Sequence, residues 1–526
     1  MSGSTLTFPP DNIVDRTTLV LKRHWAIGLV LLVAVSARLW GVGFGLPYAY
    51  HIDEPRYIYS AVGILQSGDM NPGWFQQPSL YTYLVTLVMA FYFLWGWLTG
   101  SFQSRADLFQ PPYHFDGYIP LTAEFLLARL LTVAFGVATV LLVYWIARRW
   151  LGQIGGLAAA VFLAFSVFHA ESSHYIATDV PVALFIIAAL YFLYRLSETG
   201  QNKYYLLAGI MAGLAIGTKY SAYVLVVPAG LAHLLAWRRG KSHLFAPGLL
   251  LLGLSTVLVF FLTTPYALFD NAQFTADLRY EWEHHKLLGH IGAEGNSGGW
   301  LLEQLLTRSD RWLTLLAAAG FGLAIWRRNW PLLLVLAFSG VYFISMALNI
   351  VRFERFLVPM IPALALAAGY AFAIVHKKLP PNRQPLLLIV GALLLVEPVL
   401  WVGRFDTRLA QTDGRTTARE WIVENIPAGA KIGRELFSPN LDQEPYTTVR
   451  FDWLNEHDAA WYRQEGYEYL IFAEARYGVL WRDPTAYIDL IGRYEILWAD
   501  MTLVAEFTGP YVGRPEHDIK IYQLNP

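Results

Sequence analysis

The chain is punctuated by about eleven apolar stretches, most of them close to 20 residues long and nearly free of charge. They fall at roughly 25–45, 120–147, 152–168, 180–195, 204–217, 220–237, 244–262, 312–326, 330–348, 356–375 and 385–402. A helix satisfies its own backbone hydrogen bonds within one segment, and ~20 residues of it match the hydrocarbon thickness of a bilayer. The pattern predicts an α-helical polytopic membrane protein. Composition agrees, with 55% hydrophobic and 15% charged residues, where soluble domains carry about a quarter charged. The first apolar run reads as a retained anchor rather than a cleaved signal. A net charge of −1 gives no field that would draw nucleic acid, and the absence of cysteine excludes disulfides and thiol catalysis.

Lys and Arg resist translocation and collect in short cytoplasmic loops. The clusters here are Lys22-Arg23, Arg148-Arg149, Arg195 through Lys203, Arg238-Arg239-Lys241, Arg327-Arg328, and Lys377-Lys378 with Arg383. All land inside if residues 1–20 form a cytoplasmic tail. One apolar run, Leu80–Leu98, breaks this parity if it is counted as a span. It is therefore placed as an interfacial or re-entrant helix at the outer face, which suits its Tyr and Trp content, with a twelfth ordinary span as the alternative. The reading is a multi-pass protein of the cell membrane with its transmembrane part at 1–403 and outer loops at 46–119, 169–179 and 263–311. Residues 404–526 carry charge throughout and predict a small extracytoplasmic α/β domain. A capped helix starts at Thr416 and stops before Pro427, and strands are expected near 431–436, 468–473, 502–507 and 518–523. That domain is assigned a role as lid, acceptor dock or stabiliser.

Chemistry concentrates at the outer ends of the spans. Asp53 and Glu54 follow the first span at the start of a helical pattern, where the helix dipole and free backbone NH groups favour an ionised acid, and hence a base. A plain helix cap is the competing reading. Asp179 occupies the same niche ahead of Pro181 and converges with Asp53 on one cavity, flanking a reacting centre or sharing a cation, or else caps its own helix. Lys219, Arg352 and Arg355 lie on the outer face against the charge rule, which points to an anionic ligand. Arg suits phosphate because its planar fork binds two oxygens. Interfacial snorkelling, with Glu354 neutralising one Arg, is the alternative.

Taken in order, these elements resemble the GT-C membrane glycosyltransferases, in particular the protein O-mannosyltransferase and lipid A aminoarabinose transferase superfamily. The resemblance is carried by Asp53-Glu54, Gly68 through Pro72, Gln77 through Tyr81, His174-Tyr175 with Asp179-Val180-Pro181, Gly213 through Tyr220, and Arg355 through Pro359 with Pro362, over about 25–375. It implies transfer of a sugar from a polyprenyl-phosphate-linked donor to an acceptor hydroxyl on the outer side, with inversion at the anomeric carbon. By the same resemblance Asp53 is the base, Glu54 positions the acceptor, and Arg355, with Arg352 and Lys219, holds the donor phosphate. The acceptor is a protein, lipid or glycan.

Asp179, His174, His290 and Glu294 form a second acidic and acceptor set. The loop holding His284-His285 and His290 through Asn296 reads either as a ligand set for metal or acceptor, or as a mobile lid with hydrogen-bonded histidines. A divalent cation is left open, with Asp53 and Asp179 as its ligands. A transporter or flippase of a polyprenyl-linked or other anionic substrate is the alternative function, and a membrane scaffold the third. Transporters place ionisable groups near the bilayer midplane, whereas these acids sit at span ends.

Overall fold

The computed structural model describes residues 13–308, 310–511 and 514–525. The tail expected over residues 1–20 lies largely outside the described residues, and from Ile13 onward the chain is helical. Each expected span forms a helix, because hydrocarbon offers the backbone no partner but itself. In order these are α1 (Ile13–Leu39), α2 (Glu54–Ser67), α3 (Leu80–Leu98), α4 (Thr122–Ala164), α5 (Val167–Ser172), α6 (Asp179–Thr199), α7 (Asn202–Thr218), α8 (Val226–Arg238) and α9 (Pro247–Thr263). The short helices α10 (Tyr266–Phe269), α11 (Asn271–Glu283) and α12 (Ser297–Thr307) fill the long loop, and α13 (Arg311–Trp326), α14 (Trp330–Ala347), α15 (Ile361–Lys378) and α16 (Gln384–Leu409) complete the bundle. Among the described residues, seven helical stretches are long and apolar enough to cross a membrane, and three shorter apolar helices accompany them.

The two spans expected around Arg148-Arg149 are the two legs of α4. Gly152 breaks them apart with φ +82 and ψ −179, a conformation open in practice only to glycine. The legs fold back tightly, since a Cβ on Gly156 would lie 3.0 Å from the Arg148 backbone. α15 is the centre of the bundle, buried along most of its length against α4 and α13. Small residues permit this approach: a Cβ on Gly369 would meet the Gly155 carbonyl at 2.7 Å.

α3 is a continuous apolar helix, yet it packs along α2 and the chain beyond it folds straight back. Arg105 donates to the Leu65 carbonyl at 2.8 Å, Gln66 to that of Leu108 at 3.0 Å, and the Ala49 amide to the Gly117 carbonyl at 3.0 Å. A lone crossing by α3 would put residues 49 and 117 on opposite sides of a bilayer, so their contact favours the re-entrant placement over a twelfth span.

α16 runs past residue 403 to Leu409, and the soluble fold begins at Asp413, whose carboxylate caps α17 (Gly414–Asn425) by accepting from the Arg415 amide at 3.0 Å. The helix stops before Pro427, as its sequence signals. Strands β1 (Lys431–Glu435), β2 (Thr447–Phe451), β3 (Tyr469–Ala473), β4 (Met501–Tyr511) and β5 (Arg514–Leu524) form one sheet in the order β2-β1-β3-β5-β4. β1 pairs in parallel with β2 and β3, and β5 runs antiparallel to β3 and β4. The sequence reading missed β2, an edge strand whose residues are exposed or only partly buried, so no apolar alternation marks it.

Candidate active site

Asp53 is the residue before α2, with Pro55 in the first turn. Its side chain makes no cap bond, which sets aside the plain cap reading. Its carboxylate instead bridges two cations: Oδ1 lies 3.0 Å from Arg56 Nη2, and Oδ2 accepts from Arg355 Nη1 at 2.7 Å. The Asp53 amide donates to His51 Nδ1 at 3.3 Å, so that nitrogen is the acceptor, and the ring stacks on Tyr175 with centroids 4.4 Å apart. Burial pushes the carboxyl pKa up, but Arg355 and Arg56 outweigh it and hold the group well below the usual carboxylate range.

Asp179 opens α6 and is ion-paired with Lys219, which stands in extended backbone where α7 gives way to the turn at Tyr220–Leu225. Arg355, besides bonding Asp53, lies within electrostatic reach of Asp179. Asp53, Arg355, Asp179 and Lys219 thus converge from four separate segments with charges of alternating sign.

Other expected residues fall elsewhere. Glu54 has no exposed surface and is fully engaged: Arg129 Nε and Nη2 donate to it at 3.0 and 2.7 Å, and the Ile176 amide at 3.1 Å. It cannot touch an acceptor, and it instead ties α2 to α4 and to the segment before α6. His174 is equally buried, its two ring nitrogens 3.0 and 3.1 Å from the Ala170 and Trp40 carbonyls and one of them 3.5 Å from Asp406, so it braces α5 against α1 and α16. Glu354 pairs with Arg308, not with Arg352 or Arg355, which removes the proposed neutralisation.

The loop of His290 and Glu294 is zipped onto the segment of the two arginines. The Ile350 amide donates to the His285 carbonyl at 3.0 Å, the Arg352 amide to that of Ala293 at 2.8 Å, and the Gly295 amide to that of Ile350 at 2.9 Å. Arg352 packs beside Gly295, whose added Cβ would lie 3.2 Å from the guanidinium carbon. Glu294 accepts from Tyr487 of the C-terminal domain at 2.9 Å, and His290 sits edge-on to His284 and Phe353. Sequence reasoning missed Arg56 and Arg129. Arg56, three residues past Asp53 on a helix, carried a readable spacing signal, whereas Arg129 lies 75 positions from Glu54 and carried none.

Among the described residues, no group of three or more His, Asp and Glu side chains is gathered for a metal ion. Asp53 and Asp179 are each already balanced by basic side chains, so the donor set does not fit a divalent cation and no step is routed through one.

The bundle and the appended α/β domain give the chain a GT-C-like membrane fold. Residues 122–266 match the family described as dolichyl-phosphate-mannose-protein mannosyltransferase. ArnT from Cupriavidus metallidurans, solved bound to undecaprenyl phosphate, is 15% identical over 95% of this chain and 98% of that one, with a TM-score of 0.52. The Archaeoglobus fulgidus oligosaccharyltransferase in its apo form is 12% identical over 95% of this chain and 76% of that one, with a TM-score of 0.51. At such identities the likeness is one of fold. No curated protein matches the chain in sequence.

Proposed function

We propose that the protein transfers a sugar, hexose or pentose, from a polyprenyl-phosphate-linked donor to an acceptor hydroxyl on the extracytoplasmic side, inverting the anomeric centre, with Asp53 as base. The observation that carries this reading is the Asp53–Arg355 contact beside the Asp179–Lys219 pair. The acceptor O–H proton passes to the Asp53 carboxylate as the acceptor oxygen bonds to the anomeric carbon. The bond from that carbon to the phosphate oxygen breaks, and polyprenyl phosphate leaves. Arg355 and Lys219 stabilise the charge gathering on it, with Arg352 held alongside.

The resting geometry adds a constraint. A carboxylate paired with Arg355 and Arg56 is a weak base. A donor phosphate that draws Arg355 toward itself releases Asp53 and restores its basicity, so donor binding arms the base. The likeness to a structure solved with undecaprenyl phosphate supports a lipid-phosphate donor, and the C-terminal domain, joined to the chamber through Tyr487 and Glu294, is assigned as a lid over it.

The test is turnover of a panel of polyprenyl-phosphate sugars by purified protein. Asp53→Asn is expected to cut kcat by roughly 10²–10⁴ with folding intact, and Arg355→Ala to raise the donor KM more than the acceptor KM. Full turnover in Asp53→Asn would remove the base assignment.

A further inference from the structure

A cleft of about 440 Å³ runs along α2 on the side of Tyr59, Gln66 and Ser67 and is closed by Trp74, Gln110 and Tyr113. Its size is that of a small-ligand site, roughly 300–1,000 Å³. The lining contains no Lys or Arg, which argues against a phosphate or other anion, and Ile64 is its one branched aliphatic side chain, which argues against a lipid tail. What it presents are three aromatic rings, three side-chain amides, Asn71 being the third, and the Asp69 carboxylate, whose Oδ1 accepts from the Asn71 backbone amide at 2.9 Å and the Tyr266 hydroxyl at 3.0 Å. Aromatic rings with polar tips meet a ligand that is apolar on its faces and polar around its rim, and a pyranose is built that way.

The polar groups are pre-set. Gln66 Nε2 donates to the Leu108 and Arg105 carbonyls at 3.0 and 3.3 Å, and Gln110 Nε2 to the Tyr59 carbonyl at 3.0 Å. Gln66 spends both of its N–H groups on backbone and Gln110 one of its two, and the amide oxygens of both accept from no described residue and are open to a hydroxyl. Trp74 is 5% exposed and its indole Nε1 has no partner among the described residues. Leaving a buried donor unpaired is destabilising, so this one needs an explanation. Trp74 and Tyr113 also cover Arg56, whose guanidinium carbon lies 5.3 and 5.5 Å from their ring centres, and Arg56 holds Asp53 at 3.0 Å. The α2 residues of the cleft begin at Tyr59 and end at Ser67, roughly 9–21 Å along the helix from Asp53 at 1.5 Å per residue.

We infer that this cleft is an acceptor subsite for a neutral oligosaccharide, whose inner sugars stack on Tyr59 and Tyr113 with the Trp74 indole N–H as a donor at its floor, while the terminal hydroxyl reaches Asp53. The inference rests on the transferase reading and narrows its acceptor to a glycan. To test it, full-length protein in detergent is titrated, without donor, with neutral trisaccharides of glucose, mannose and N-acetylglucosamine and with a neutral Ser/Thr tripeptide, read by calorimetry. At least one saccharide should bind saturably, and Gln66→Ala and Trp74→Phe should each weaken it by roughly tenfold, equivalent to ~1.4 kcal/mol. Trp74→Phe keeps an aromatic ring but loses the indole donor and part of the ring volume, so a fold that melts like wild type with weakened binding supports a direct contact. Absence of saccharide binding by wild type, equal affinity in both variants, or preference for the peptide would overturn the subsite. A parallel assay with the panel of polyprenyl-phosphate sugars separates the two readings: saccharide binding with no transfer from any donor would count against the transferase reading and leave the cleft standing.

Discussion

Asp53 and Glu54 are neighbours in sequence and opposites in circumstance. Successive residues at a helix start point about 100° apart, so one carboxylate meets Arg355 and the other turns into the bundle onto Arg129. Removing one partner of a buried, hydrogen-bonded pair strands the other charge, so Arg129→Ala should lower stability by about 3–5 kcal/mol, while Asp53→Asn, with its side chain partly open, should melt near wild type. Thermal denaturation in detergent separates the two. The pH dependence follows from the sign of the Asp53 shift. Its carboxyl is depressed in the fold, so its ion pairs contribute above the ordinary carboxylate pKa of about 4 and are lost only as pH falls below it. In kcat/KM, which reports the free enzyme, activity should therefore show no acid limb from Asp53 between about pH 5 and 8. In Arg355→Ala, where burial is opposed by one cation fewer, that limb should move upward in the kcat/KM profile. An unmoved limb would detach Arg355 from the base.

At the scale of elements, the turn within α4 illustrates local determination. Hydropathy separated its two legs, and Gly152 makes the reversal possible. Gly152→Ala should cost about 1–3 kcal/mol through backbone strain alone, since nothing lies within 4 Å of the added Cβ. A melting temperature equal to wild type would show that the turn relaxes elsewhere. The strip at Ile350–Arg352 is a different kind of element. It is fixed by backbone bonds from His285, Ala293 and Gly295, and its short irregular pairing leaves no periodic trace. The loop between His284 and Asn296 consequently looked like a ligand set or a lid, when its described contacts make it the clasp that seats the arginine segment.

Over the whole molecule, the C-terminal domain is bound to the outer loops. Arg434 pairs with Asp116 at 3.0 Å, Arg415 donates to the Tyr50 carbonyl at 3.2 Å, and Tyr487 reaches Glu294. The loop after α3 and the domain must therefore share one side of the bilayer. The native chain has no cysteine, so single cysteines in Gln103→Cys and Glu424→Cys should both react with an impermeant thiol reagent on intact cells, and labelling from opposite sides would overturn the re-entrant placement of α3. Much of the architecture was legible beforehand: the span helices, the reversal between the two spans that flank Arg148-Arg149, the helix ending before Pro427 and four of five strands. Each depends on the character of consecutive residues, and hydrophobic periodicity or a turn-forming glycine acts within a few positions along the chain. The tertiary structure alone decided which of two adjacent acids faces the chamber, that Arg355 meets Asp53 across 302 positions, and that His174 and Glu54 serve the packing. Those outcomes depend on how helices pack in three dimensions, and a charge carries no mark in the sequence of the distant partner that packing will bring to it.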